Sequence, residues 1–190
     1  PDTLELLDKM QFESIRLGEI NRNPTLMEPI LRDADLISID TSVIQGSDHV
    51  AHSDTGPNGI DARTMCQLAR YAGMSDQMKV IGIFEHNPDL DNRNLGAQLI
   101  GQVVWHVLDG IYAQKSDYPK CGLDEYARYV VDLSDVEQAV VFYKSSKSDR
   151  WWMEVPYPGQ KTGAHIVGCA YEDYIEAVSY THLTLPTSVP

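Results

Sequence analysis

Between Leu36 and Pro57 the chain reads LISIDTSVIQGSDHVAHSDTGP, and this stretch narrows the folds open to it. Leu36, Ile37 and Ile39 form a short apolar, largely β-branched run behind the helical-looking segment MEPILRDAD. Such a run marks a strand apolar on both faces, as in buried parallel sheets. Asp40 stands where the run ends. In open α/β sheets, chemistry gathers in the crevice at the carboxyl ends of the strands. A carboxylate there, followed by Asp48, His49, His52 and Asp54 on a polar loop, is a candidate set of oxygen and nitrogen ligands. A strand end followed by an ordinary solvated loop accounts for the same residues.

The chain around this stretch repeats the pattern. Gly56 to Gly59 read as a turn. Ile60 to Ala72 read as an amphipathic helix with Ile60, Met65, Leu68, Ala69 and Ala72 inward and Gly73 as its C-cap. Lys79 to Phe84 form a second buried strand, again with an acid, Glu85, at its carboxyl end. After EHNPDLDNRN, Asn92 or Asn94 caps a helix over Leu95 to Tyr112, with Leu99, Val103, Val107 and Ile111 on its apolar face. Strand, helix, strand, helix is the βαβ order of a three-layer α/β/α domain with a mainly parallel sheet. Ahead of it, weak helical signals cover Thr3 to Met10 and Thr25 to Arg32, and Phe12 to Leu17 read as strand or loop.

Beyond Tyr118 the character changes. Tyr118 to Gly122 is rich in turn residues, and Leu123 to Tyr129 read as a short helix. EQAVVFYK (Glu137 to Lys144) and WWMEVPY (Trp151 to Tyr157) read as an antiparallel hairpin across SSKSDR. His165 to Tyr171 add a third strand and Glu172 to Val178 a helix. Trp151, Trp152, Tyr157 and Tyr143 are expected to pack the hairpin. The expected division is therefore 1–117 for the α/β part, 118–178 for a small β-rich extension and 179–190 for a tail. That tail, SYTHLTLPTSVP, resembles translated sequencing-adapter read-through. Together with an opening at Pro1, it makes the expectation a C-terminal fragment of a longer protein.

Composition excludes some partners. The formal net charge of -13 argues against nucleic acid and anionic membrane surfaces, both of which need basic patches. Cys66, Cys121 and Cys169 are odd in number and contain no CxxC pair, which fits reduced thiols and a cytoplasmic setting. No run approaches the ~18 apolar residues of a membrane span.

Two motifs carry a resemblance. Ser38-Ile39-Asp40-Thr41-Ser42 resembles the second metal motif of the ureohydrolase superfamily (arginase, agmatinase, formimidoylglutamase), usually Ser-Phe-Asp-x-Asp. Glu85-His86-Asn87-Pro88, with Asp91 behind it, resembles that family's Glu-x-Asn-Pro motif. The interval of 45 residues from Asp40 to Glu85 suits one crossover. With the SDRWWMEVPYP extension, the likeness is greatest to formimidoylglutamase-like proteins of Bacteroidetes type. The resemblance implies an arginase-like fold and two Mn2+ ions sharing a hydroxide of depressed pKa. It implies attack on the carbon of a guanidinium or formimino group. Asp40 would be a metal ligand, with Asp48 as a substitute ligand, and Glu85 would receive the cationic head of the substrate.

It also implies a small amidine or guanidine as partner and a homo-oligomeric whole protein. The favoured substrate is formiminoglutamate, giving glutamate and formamide in histidine breakdown. Two departures stand against it. Ser42 occupies the position of the second Asp, and the chain contains no Asp-x-His-x-Asp run. The alternative is a non-catalytic binding or assembly protein of the same fold that has lost a metal ligand at Ser42.

Overall fold

The computed structural model describes residues 2–10, 12–119, 123–132, 139–156 and 164–181. Three short helices open it: α1 (Asp2–Lys9), α2 (Leu17–Arg22) and α3 (Met27–Arg32). The first parallel strand, β1 (Leu36–Asp40), follows, then the long polar loop and α4 (Ala62–Gly73). Strand β2 (Val80–Phe84) and α5 (Leu95–Tyr112) complete the βαβα order. β1 and β2 pair in parallel with Leu36 opposite Val80 and Asp40 opposite Phe84.

The pleat decides which face is covered. Ile37 and Ile39 are buried, and Leu36, Ser38 and Asp40 are exposed. Ile37 and Ile39 share one core with Met65, Leu68, Ala69 and Ala72 of α4 and with Leu99, Val103 and Val107 of α5. The opposite face carries exposed Leu36, Val80 and Phe84. Among the described residues the parallel sheet therefore has helices on one face, two of the three layers that its sequence pattern implies. The helix-facing positions read from the sequence are the buried ones, except Ile111, which is exposed.

The second half is a four-stranded antiparallel sheet in the order β3 (Tyr126–Asp132), β4 (Ala139–Ser145), β5 (Trp151–Pro156), β6 (Ala164–Cys169). Helix α6 (Tyr171–Thr181) is the last described element, and 182–190 lie outside the described residues. The expected helix over Leu123 to Tyr129 is corrected. Only Leu123–Glu125 make a 3-10 turn, and Tyr126 onward is strand, paired along its whole length with β4. Aromatic and β-branched YARYVV fits a pleated surface better than a helix. Trp151, Trp152 and Tyr143 are buried in the sheet as expected, whereas Tyr157 and Cys121 lie outside the described residues.

Arg32 and Arg150 join the two halves. The Arg32 guanidinium lies 4.7 Å from the Trp152 ring centre and donates to the carbonyls of Trp151 (3.0 Å) and Cys169 (3.2 Å). It also pairs with Glu28 at 2.9 Å. Arg150 Nε lies 3.2 Å from the same Glu28, and its Nη1 lies 3.7 Å from the buried Asp117.

Candidate functional site

Asp40 and Glu85 arise from the same local logic. Each follows an apolar strand at its carboxyl end, and parallel pairing places the two ends side by side, with Phe84 opposite Asp40. Asp40 caps the 3-10 turn Thr41–Val43, accepting from the Ser42 amide at 2.8 Å. The Ser42 hydroxyl and amide hold the Asp40 carboxyl below the usual carboxylate range, and His52 adds a smaller attraction. Ser42 is thus engaged with Asp40. Glu85 is exposed and sits in a left-handed turn, φ 67°. For a residue other than glycine this conformation is uncommon and strained, and it persists only where the surroundings hold it.

The polar loop after β1 is not a solvated excursion. Gln45 donates to the Ile60 carbonyl (3.1 Å) and Ile60 to that of Val43 (2.8 Å). Gly46 donates to the carbonyl of Gly56 at 2.7 Å. Gly59 is required at this closure, because a Cβ there would lie 2.5 Å from the Gln45 nitrogen. His49 and His52, on a loop polar enough to read as solvated, are instead buried, 0% and 5% exposed. Backbone pairing across the loop and its packing under the start of α5 account for the difference.

Asp48 binds this loop to α4. Its Oδ2 accepts from the Ala62 amide (2.8 Å) and from Gln45 Nε2 (3.1 Å), and its Oδ1 from the Ser47 hydroxyl (2.9 Å). These donors occupy lone pairs that a cation would need. The Ala62 hydrogen bond, foremost, holds the Asp48 carboxyl below its ordinary 3.8. A depressed folded pKa stabilises the fold above the ordinary value, and that contribution is lost as pH falls through the lower folded value. Asp48→Asn is therefore expected to flatten the fall in thermal midpoint below about pH 4, a window set by the ordinary carboxylate pKa. An unchanged acid limb in the variant would assign the acid sensitivity to other carboxylates.

His49, His86 and Asp91, which no local sequence pattern joins, come together here. His49 Nε2 lies 3.3 Å from His86 Nδ1, and His86 Nε2 lies 3.8 Å from Asp91 Oδ2. Asp91 accepts from the amides of Gly96 (2.9 Å) and Ala97 (2.8 Å). It is therefore Asp91, and neither Asn92 nor Asn94, that supplies the side-chain cap of α5. Asn94 is left-handed and makes no such bond. An acid shortly ahead of a helix start was the legible signal. His86, next to Glu85, turns away from solvent towards these partners, and His52 stacks on His49 with ring centres 5.7 Å apart. Burial and the facing imidazoles of His86 and His52 push the His49 pKa down.

A manganese centre of the kind the resemblance implies needs several converging ligands. Among the described residues no group of three or more His, Cys, Asp or Glu side chains is placed to hold a metal ion. The described residues by themselves do not complete a binuclear site. No described helix is long and apolar enough to cross a membrane.

The architecture, a parallel βαβα unit, is similar in fold to solved formiminoglutamases and an arginase. The chain is similar to formiminoglutamase from Trypanosoma cruzi, solved with Mn2+, at TM-score 0.52 and 17% identity, over 58% of this chain and 40% of that one. It is similar to formimidoylglutamase from Bacillus subtilis at TM-score 0.52 and 24% identity, over 56% and 36%. Arginase from Bacillus subtilis matches at TM-score 0.51 and 18% identity, over 55% and 40%. The match thus spans about two fifths of the length of these proteins. No family model and no curated protein matches the chain. At these identities the likeness establishes the fold.

Proposed function

We propose that this chain is the C-terminal part of a manganese-dependent hydrolase of linear amidines or guanidines, with formiminoglutamate the favoured substrate. The observation that carries the reading is the placing of Asp40 and Glu85 at the neighbouring carboxyl ends of two paired parallel strands, in a fold like that of formiminoglutamase and arginase. On this reading 1–117 is the C-terminal half of the catalytic domain and 118–178 an added β-rich segment. Asp40 presents its carboxylate on the uncovered side of the sheet, where further ligands come from outside this chain. Glu85 receives the cationic head of the substrate through a charge-assisted hydrogen bond.

The test is made on the whole protein. Two manganese ions per molecule and release of formamide from formiminoglutamate are expected. Glu85→Gln should lower kcat/KM by roughly 10- to 100-fold, the worth of a hydrogen bond to a charged group. A protein that binds no manganese at saturation and releases no formamide would overturn the reading in favour of a non-catalytic binding protein of the same fold.

A further inference from the structure

We propose that His49 and His86, joined by a directed hydrogen bond and faced by the Asp91 carboxylate, form a relay that holds the left-handed turn at Glu85, so that the three are positioning residues for its carboxylate. The purpose of the relay rests on the substrate-binding role of Glu85 proposed above; its geometry does not.

The direction follows from the chemistry of the ends. Asp91 is an acceptor only, and it is fixed by two amides at the start of α5. His86 Nε2 faces it at 3.8 Å, a distance at which the carboxylate's charge favours a proton on that nitrogen although no direct hydrogen bond forms. In the neutral ring the proton on Nε2 leaves Nδ1 as acceptor. His49 Nε2, 3.3 Å away, must then donate. The opposite arrangement would aim a bare His86 Nε2 at the carboxylate and bury an unpaired N–H on His49 Nδ1. In the assigned tautomer that buried nitrogen, which has no hydrogen-bond partner among the described residues, is a bare acceptor.

The relay reaches Glu85 through its neighbours. His86 is adjacent to it in the chain, and the Asn87 amide donates to the Ala51 carbonyl at 2.6 Å. The turn is thus gripped from the β1 loop by His49 and Ala51 and from α5 by Asp91. Gly96 makes the grip fit: a Cβ there would lie 3.0 Å from His49 Nε2 and 3.0 Å from the Ala51 Cβ. A strained φ at an exposed acid, held from two sides, matches a carboxylate kept in place for a partner.

The experiment uses the whole protein with 15N-labelled histidine and two substitutions. His49→Phe keeps the bulk and removes the donor, whereas His49→Gln keeps an N–H near the position of Nε2. In the unmodified protein, long-range imidazole spectra are expected to show the Nε2–H tautomer at His49 and His86. In His49→Phe, His86 should lose that single tautomer, and exchange of the Asn87 amide should rise about fivefold or more, the effect of losing one net hydrogen bond. His49→Gln should restore both. An Nδ1–H tautomer at His86 overturns the relay. So does a His49→Phe protein whose Asn87 amide and His86 spectrum are unchanged, or a His49→Gln protein that rescues neither. Guanidinium ion, added to the unmodified protein, should shift the Glu85 amide resonance. Absence of that shift, with the tautomers and rescue as expected, overturns the substrate-binding role of Glu85 and leaves the relay established.

Discussion

Arg32→Ala is expected to lower the unfolding free energy by about 3–5 kcal/mol, the usual cost of removing one member of a buried ion pair. Arg32 is 2% exposed and holds three groups at once: Glu28, and the backbone carbonyls of Trp151 on β5 and Cys169 on β6. Without it, Glu28 keeps Arg150 alone among the described cations, and two carbonyls in the joint between the α/β half and the antiparallel sheet lose their donor. The guanidinium plane also covers the face of Trp152, which is fully buried. Lysine does not repair this, because a point charge cannot serve three acceptors in a fixed fork. Urea unfolding followed by tryptophan fluorescence reads the joint directly, since Trp151 and Trp152 lie in it. A loss below about 1 kcal/mol, the range of exposed ion pairs, would mean that the halves are held by apolar packing instead.

Gly110→Ala, and equally Gly73→Ala, is expected to cost about 1–2 kcal/mol net, although alanine is the better helix former. Helices α4 and α5 cross where Gly73 meets Gly110. A Cβ on Gly73 would lie 2.1 Å from the Val107 carbonyl oxygen, and one on Gly110 would lie 2.3 Å from that of Arg70. These are backbone atoms and cannot rotate away, so the helices must separate and loosen Leu99, Val103 and Val107 against α4. Overpacking of this kind costs about 1–3 kcal/mol and occasionally more. The gain in helix propensity, about 1 kcal/mol, offsets part of it. Thermal or urea unfolding of the two single variants and the double variant checks the point. The double variant should cost less than the sum, because both changes open the same crossing. An increase in stability in either single variant would show that the crossing yields.

Gly73 also marks a limit of sequence reasoning. Glycine after an apolar helical face reads as a C-cap, yet Gly73 is the last helical residue and Met74 follows in right-handed conformation. The glycine is there for the approach of a second helix, which no local pattern encodes. Asp91 makes the same point in reverse. Its carboxylate caps α5 from outside the helix because the turn at Arg93 and Asn94, both left-handed, brings it back over the amides of Gly96 and Ala97. His49 and His52 lay on a stretch too polar to be read as buried, and their burial follows from backbone pairing between Val43, Gln45 and Ile60.

The strands Leu36 to Asp40 and Val80 to Phe84, the helix Leu95 to Tyr112 and the inward faces of α4 and α5 were legible from the chain alone. Their period and their punctuation are local, and burial of the apolar face then leaves each element one orientation. So were the two acids at strand ends, since the end of an apolar run is itself a sequence feature. Tertiary structure alone decided that these strands are neighbours and that Tyr126 onward pairs as a strand. It also decided that Arg32 binds carbonyls more than a hundred residues away, and that His49, His86 and Asp91 meet beside Glu85. Those outcomes depend on which distant backbone groups need partners once the apolar faces are buried, and no window of the chain contains both members of such a pair.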